Sequence, residues 1–278
     1  MTCVTGAGTI LLGATDATCD PTPFLRVRKS RKFMGTQDDL AVVATARALA
    51  SADLATPPPE RTGLFLAVGY IPFREEDIGP VLAASLGAAG EFDVRRFGAG
   101  GFQRAHPLLT FRCLPNMPAY HVSVNFDVQG PYCVTYPGPA QLYAALDEAR
   151  AAIADDRVDV ALVCGVAHQS NFLVRHHFAR LDPPVAPDRL RDVAAVIVLE
   201  REAHARARGA TVRARLESMH VSYDPFDVIN EGRAGTADEL GPASLPHAIA
   251  TALGAPQVLV HTLESRDGIS ARSEWVIA

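Results

Sequence analysis

The chain alternates short runs rich in valine and leucine with longer runs rich in alanine. Residues 194–199 are apolar throughout, whereas residues 140–155 carry apolar side chains at the three-to-four-residue spacing of a helix. A strand that is apolar along its whole length is buried on both faces, so helices must lie above and below it. The pattern therefore predicts an α/β fold with a sheet that is covered on both sides.

Local composition places the individual elements. Glycine and proline mark the connections between them, as at residues 56–59. Gly98-Ala99-Gly100-Gly101 is not followed by Gly-Lys-Ser/Thr, so we interpret it as a surface connection and not as a phosphate-binding loop. Strands are predicted over residues 3–5, 63–68, 120–126, 132–136, 158–163, 194–199, 211–220, 257–263 and 273–277, and helices over residues 37–53, 77–86, 140–155, 202–208 and 245–253.

Residues 130–141 combine a predicted strand, a sharp turn and the start of a helix. This arrangement can present a nucleophile, because the backbone N–H groups at a helix start stabilise a thiolate or an oxyanion. The turn contains Pro137, Gly138 and Pro139 and no nucleophilic side chain. The geometry of a reactive site is thus predicted without its reactive group.

This stretch resembles the beta-ketoacyl synthase family of condensing enzymes, in which a Gly-Pro, a strand and a Thr-Ala-Cys turn open a buried helix. In that pattern the cysteine follows the glycine by nine residues, and nine residues after Gly130 stands Pro139. Counting back from residues 145–149, which resemble the family's Ala-Leu-x-x-Ala, also leads to Pro139. Proline has neither a thiol nor an N–H, although it suits a first helical position. The resemblance therefore implies that no catalytic residue is present here.

Other segments carry the same resemblance across most of the chain. Pro115-Asn116-Met117-Pro118 is similar to a stretch that precedes the nucleophile strand in type II synthases and chain-length factors. Similar segments are found at residues 4–8, 31–41, 158–166 and 194–210. The resemblance implies a thiolase-like layered α/β/α fold, with residues 1–209 as the N-terminal half and residues 210–278 as a reduced C-terminal half of the same compact unit.

The second half departs from the family pattern. Condensing enzymes usually supply two histidines from this half, but Gly241-Pro242-Ala243-Ser244 stands where a Gly-His segment is expected. Asp267-Gly268-Ile269 is a weak match to the glycine-rich loop before the last strand. His247 and His261 are present outside any matching motif. The sequence therefore does not predict the pair of histidines that is usual in the family.

The resemblance is closest to the chain-length factors, sister subunits that lack the cysteine and pair with an active synthase in polyketide or fatty-acyl biosynthesis. It implies a steric role in the tunnel where the acyl chain grows, and an interface formed by residues 114–136. Residues at the tunnel or the interface would be Met117, Tyr120, Phe126, Tyr136, Gly138 and Pro139.

Two other functions stay open. The first is an acyltransferase or condensing enzyme that uses another thiol, of which Cys133 is the nearest to the turn, although a buried, inert cysteine is the usual case. The second is a homodimeric acyl-binding scaffold. The run Arg26, Arg28, Lys29, Arg31 and Lys32 is either a solvated basic face or an attractor for the acidic helix of an acyl carrier protein.

Charge and cysteine content exclude other classes of protein. A net charge of −5 argues against a nucleic-acid partner and offers a membrane surface no basic attractor. The five cysteines include no Cys-x-x-Cys pair, and the adjacent His176 and His177 cannot share one helical or strand face. We therefore expect neither a metal nor a cofactor, reduced thiols and a cytoplasmic location. Residues 4–12 are predicted to be a first strand and not a signal peptide.

Overall fold

The computed structural model describes residues 2–181, 183–224, 238–265 and 268–278. Asp267 of the predicted glycine-rich loop lies outside the described residues. The strands are β1 (Thr2–Leu11), β2 (Thr62–Val68), β3 (Tyr132–Thr135), β4 (Val160–His168), β5 (Asp192–Arg201), β6 (Ala214–Tyr223), β7 (Gln257–Glu264) and β8 (Ile269–Ile277). The helices are α1 (Thr36–Ser51), α2 (Glu75–Ala84), α3 (Val94–Ala99), α4 (Leu109–Cys113), α5 (Met117–Phe126), α6 (Gln141–Ala154), α7 (Phe172–Ala179), α8 (Glu202–Ala207) and α9 (Ser244–Ala252).

The described strands follow the order β3-β2-β4-β5-β1-β6-β8-β7. Strand β2 is parallel to both β3 and β4, whereas β5 runs antiparallel to β4 and β1. A single residue pair, Val4 with Ala214, joins β1 to β6. Strands β6, β8 and β7 then form an antiparallel unit. The sheet therefore consists of a five-stranded and a three-stranded part with a narrow junction.

Two apolar cores lie on opposite faces of the five-stranded part. On one face, α1 and α5 pack against side chains of β2, β4 and β5. On the other face, α6 and α9 pack against β2, β4 and β5 and also against β6, β7 and β8. Helix α6 fits this middle layer because its apolar residues Leu142, Leu146, Ala149 and Ile153 are all buried. The three-stranded part thus covers the helix that follows the proline-rich turn.

One predicted element is wrong. Residues 120–126 were expected to form a strand but belong to helix α5. The buried side chains Met117, His121, Val122 and Asn125 recur at three-to-four-residue spacing, while Tyr120 is exposed. That spacing is helical, and Pro118 is tolerated because it lies in the first turn.

Short helices account for the other differences. Helices α3, α4 and α7 were not predicted as elements, and His176 and His177 lie on α7. Gly98 and Ala99 end α3 and Gly101 begins a 3-10 turn, so the expected surface connection is largely helical. Among the described helices, none is long and apolar enough to cross a membrane.

Candidate functional site

The turn between β3 and α6 is held by side-chain and backbone hydrogen bonds. The Thr135 hydroxyl donates to the Gln141 carbonyl at 2.9 Å and lies 3.4 Å from the Leu66 carbonyl of the neighbouring strand. Gly138 is buried and has a φ of 108°, a backbone conformation that glycine adopts at low cost. The turn therefore has one defined shape, which places residue 139 just before the N-cap residue of the helix.

Pro139 does not take the first helical position that the sequence suggested. Helix α6 begins at Gln141, with Ala140 as its N-cap, so Pro139 lies two residues before the helix. Its carbonyl accepts a 3.5 Å hydrogen bond from the Leu142 N–H, and its ring is half-buried. At this position the chain has neither a nucleophile nor a donor for an oxyanion.

The cysteine thiols do not replace the nucleophile that is missing at Pro139. Burial raises the pKa of Cys133, and the carboxylate of Glu148 raises it further. Cys133 packs against the core that contains α6. Burial also raises the pKa of the other four cysteines, Cys3 to about 11, Cys19 to about 12, and Cys113 and Cys164 in the same direction. A nucleophilic cysteine needs a lowered pKa, so these environments favour inert thiols.

The residues predicted to line a tunnel or an interface separate into two groups. Met117 is 8% exposed, and Phe126 packs against the core under α1. Tyr120 and Tyr136 are 53% and 38% exposed. The first pair therefore fills the interior, and the second pair is available at the surface.

The two histidines outside any motif are both half-buried, and each lies within hydrogen-bonding distance of a hydroxyl group. His247 Nδ1 lies 2.9 Å from the Thr9 hydroxyl, and His261 Nδ1 lies 2.8 Å from the Tyr143 hydroxyl. The Tyr143 hydroxyl is also 3.1 Å from Ser273 Oγ, which accepts a 2.9 Å bond from the Trp275 indole. These contacts form a chain of hydrogen bonds that runs from the Trp275 indole, which donates to Ser273 Oγ, through the Tyr143 hydroxyl to His261 Nδ1.

The Tyr143 hydroxyl and His261 Nδ1 can form this bond while the imidazole is neutral, with either group as the donor. Burial lowers the pKa of His261 from 6.5 to about 4, which favours this neutral form. Tyr143 is the third residue of α6, so the chain of bonds connects the helix start to the strands β7 and β8. Sequence reasoning missed this link because Tyr143 and His261 are far apart in the chain.

Acid should weaken the fold through His261. Between pH 6.5 and about 4, His261 is protonated in the unfolded chain but neutral in the folded chain. The free energy of unfolding therefore falls as the pH falls. We expect His261 to contribute about 2 kcal/mol of this loss. His261→Asn keeps an acceptor near Nδ1 but does not titrate, so urea unfolding at pH 7 and pH 4.5 should show a smaller loss for this variant.

The exposed His220 supplies the matched control for this experiment. His220→Asn should unfold with the wild-type pH dependence. Burial also lowers the pKa of His121 to about 4. All the variants therefore keep the part of the acid-induced loss of stability that His121 causes. An equal effect of His261→Asn and His220→Asn would contradict the assignment.

The segment where a histidine was expected packs directly on the central sheet. Gly241, Pro242 and Ala243 form a 3-10 turn that lies against Gly165 of β4. Pro242 and Ala243 are buried. The resemblance placed a Gly-His segment here, and the structure shows a packing contact of small residues in its place.

The basic run is partly paired with acidic side chains. Arg31 is bonded to Asp39 at 2.7 Å, and Arg26 lies 3.5 Å from Asp127, whereas Arg28 and Lys29 are exposed.

The paired histidines lie elsewhere, on α7. The His177 ring lies 5.0 Å from the Tyr70 ring. In the part of the chain that the structure describes, no group of three or more His, Cys, Asp or Glu side chains could hold a metal ion.

Solved structures with the same fold come from the condensing enzymes. One is an acyl-carrier protein of a type II polyketide synthase in complex with its ketosynthase bound to the hexaketide, matched at 14% identity and a TM-score of 0.75 over 100% of this chain and 99% of that chain. A second is the ishigamide ketosynthase/chain length factor, at 16% identity and a TM-score of 0.66 over 99% of each chain. A third is a beta-ketoacyl synthase from Burkholderia phymatum, at 16% identity and a TM-score of 0.67 over 100% and 99%.

These matches define the architecture as the layered, thiolase-like α/β fold that the sequence predicted. The sequence profile of the beta-ketoacyl synthase N-terminal domain matches residues 6–195, more than half of the chain. The chain therefore belongs to the beta-ketoacyl synthase family. No curated protein matches the sequence.

Proposed function

We propose that this chain is a non-catalytic, chain-length-factor-like subunit that pairs with an active ketosynthase and shapes the tunnel for a polyketide or fatty-acyl chain. The observation that carries the proposal is Pro139 in the turn before α6. Condensation requires a thiolate to hold the acyl chain and donors for the developing oxyanion, and proline offers neither group. The raised pKa of Cys133 supports the same interpretation.

An edge strand supports the proposed pairing with a second subunit. Strand β3 lies at one end of the described strand order, and Tyr132 on this strand is 70% exposed. The neighbouring segment adds Leu114, Tyr120 and Val124, which are 44%, 53% and 39% exposed. Exposed apolar groups beside an open sheet edge are a hazard for aggregation unless another chain covers them. We assign residues 114–136 to the subunit interface.

The proposed partners follow from the same relatives. A ketosynthase/chain length factor is among the similar structures, and another similar structure contains an acyl-carrier protein with its ketosynthase. We therefore propose an active ketosynthase as the direct partner and an acyl carrier protein as a further partner of the assembled pair. Each subunit would then contribute residues to one acyl tunnel, while the ketosynthase supplies the reactive thiolate.

Intact-mass measurement tests whether the chain can be acylated. After incubation with an acyl-carrier thioester, the purified chain should keep its mass, because its thiols are not activated and Pro139 cannot attack. Cys133→Ser should behave in the same way. An acyl adduct on the wild-type chain that disappears in Cys133→Ser would establish an enzyme instead.

Co-expression tests the pairing itself. Size-exclusion chromatography of the chain co-expressed with a ketosynthase should give a stable one-to-one complex. A stable homodimer that excludes the ketosynthase would favour the acyl-binding scaffold.

A further inference from the structure

Strand β7 is an open edge of the sheet. It ends the strand order of the described residues, opposite to β3, and pairs with β8 on one side. In the part of the chain that the structure describes, no strand pairs with its other side. Alternate backbone N–H and C=O groups of an edge strand point away from its neighbour, so they can pair with a strand of another chain.

The five-stranded part of the sheet shows how the corresponding edge is covered. In both parts the first strand pairs antiparallel with the last, and the last pairs antiparallel with the strand before it. These strands are β1, β5 and β4 in one part and β6, β8 and β7 in the other, so β7 takes the place of β4. Strand β2 covers the far edge of β4 over its whole length, Thr62–Val68. An edge at this place in the fold therefore accepts a further strand.

The side chains of β7 do not protect its edge. Residues 257–263 contain no proline, lysine, arginine, aspartate or glutamate, which are the residues that commonly keep edge strands from pairing. Burial lowers the pKa of His261 to about 4, so this segment is uncharged at neutral pH. Val258 and Val260 are 58% and 42% exposed, on the face of the sheet that α6 and α9 do not cover.

The exposed row of side chains on β7 is self-complementary. In an antiparallel pair, residues that lie opposite each other share one face of the sheet. A two-fold axis at Val260 therefore places Val260 opposite its own copy and Val258 opposite Thr262 of the second copy. Valine and threonine are both β-branched and similar in size, so the row is alike in both directions from the axis. Residues 257–263 can thus pair along their whole length with no like charges opposite each other.

We propose that β7 pairs antiparallel with β7 of a second copy of this chain, about a two-fold axis at Val260, and that the sheet continues across both copies. A second copy fits this edge better than an unrelated strand, because the lengths and the rows of side chains match by symmetry. The pairing uses the edge opposite to residues 114–136 and does not depend on the proposed function. It would join two complexes with the ketosynthase and keep their one-to-one ratio.

Charge substitutions at the axis test the proposal. Every chain in the experiment carries Tyr120→Glu and Tyr132→Glu at exposed positions, so that residues 114–136 do not contribute to self-association. Sedimentation velocity then measures the Kd of the dimer. Val260→Lys and Val260→Glu should each weaken dimerisation at least about tenfold, because symmetry places two like charges opposite each other. An equimolar mixture of the two variants should dimerise again, because opposite charges then meet.

Val276 supplies the matched control. It is 39% exposed on the same face as Val260, but it lies on β8, which has a strand on each side. Val276→Lys should therefore dimerise with the wild-type affinity. Under mild oxidation, Val260→Cys should form a disulfide-linked dimer and Val276→Cys should not. Opposite Cα atoms of an antiparallel pair are about 4.5 or 5.5 Å apart, which is within the reach of a disulfide.

Several results would overturn the proposal. They are a chain with native β7 that stays monomeric, a Val276→Lys variant that loses as much affinity as Val260→Lys, and mixed Val260 variants that do not dimerise. Hydrogen exchange tests the ketosynthase as the other occupant of the edge. Protection of residues 257–263 that arises only when the ketosynthase binds would also overturn the proposal and assign the edge to that subunit.

Discussion

Gly165→Ala is expected to lower the free energy of unfolding by at least about 3 kcal/mol, because the added methyl group has no room. The new Cβ would lie 2.1 Å from the Pro242 carbonyl oxygen, 2.5 Å from its carbon and 2.7 Å from the Ala243 Cα. These are backbone atoms of the turn on β4, so no side-chain rotation can relieve the overlap. The segment would have to move away from the sheet. Urea unfolding followed by circular dichroism measures the loss.

Gly98→Ala provides the control for this substitution. A Cβ at Gly98, on the surface of α3, would have no atom within 4 Å. Alanine is also preferred to glycine inside a helix by up to about 1 kcal/mol, so this variant should be as stable as the wild type or slightly more stable. Equal losses for Gly165→Ala and Gly98→Ala would show that the contact between β4 and residues 241–243 does not support the fold.

Sequence reasoning located the parts of this fold that are dominated by burial. Strands β2, β4 and β5 are buried almost completely, so their composition alone distinguishes them from helices. Helix α6 has a regular stripe of apolar residues and was placed to within one residue at each end. The family resemblance, counted forward from Gly130 and back from residues 145–149, led to Pro139. These features are local, and local composition and spacing determine them.

Features that depend on distant contacts were not accessible in this way. Helix α5 is short, and its mixture of valine, tyrosine and phenylalanine is typical of strands, so packing against α1 outweighs its local preference. The bond between His261 and Tyr143 requires the three-stranded part of the sheet to cover α6, which no local pattern indicates.

The double variant Tyr120→Glu, Tyr132→Glu is expected to weaken the complex with the ketosynthase at least about 100-fold. Buried tyrosines at protein interfaces commonly contribute about 2 kcal/mol or more each, and about 1.4 kcal/mol corresponds to tenfold in affinity. Both side chains are more than half exposed in the isolated chain, at 53% and 70%, so their replacement should leave its own stability nearly unchanged. Surface plasmon resonance with immobilised ketosynthase measures the affinity, and thermal unfolding checks the stability.

Tyr223→Glu distinguishes an interface from general surface charge. Tyr223 is 66% exposed on β6, in the three-stranded part of the sheet and outside residues 114–136. Its replacement adds one negative charge and removes one tyrosine ring, the same change that is made at each position of the double variant, yet affinity for the ketosynthase should remain at the wild-type value. If Tyr223→Glu weakened the complex as much as the double variant, the interface would not be confined to α5 and β3. If neither variant changed the affinity, residues 114–136 would not form the interface with the ketosynthase. A different partner would then have to cover the exposed aromatic side chains of α5 and β3.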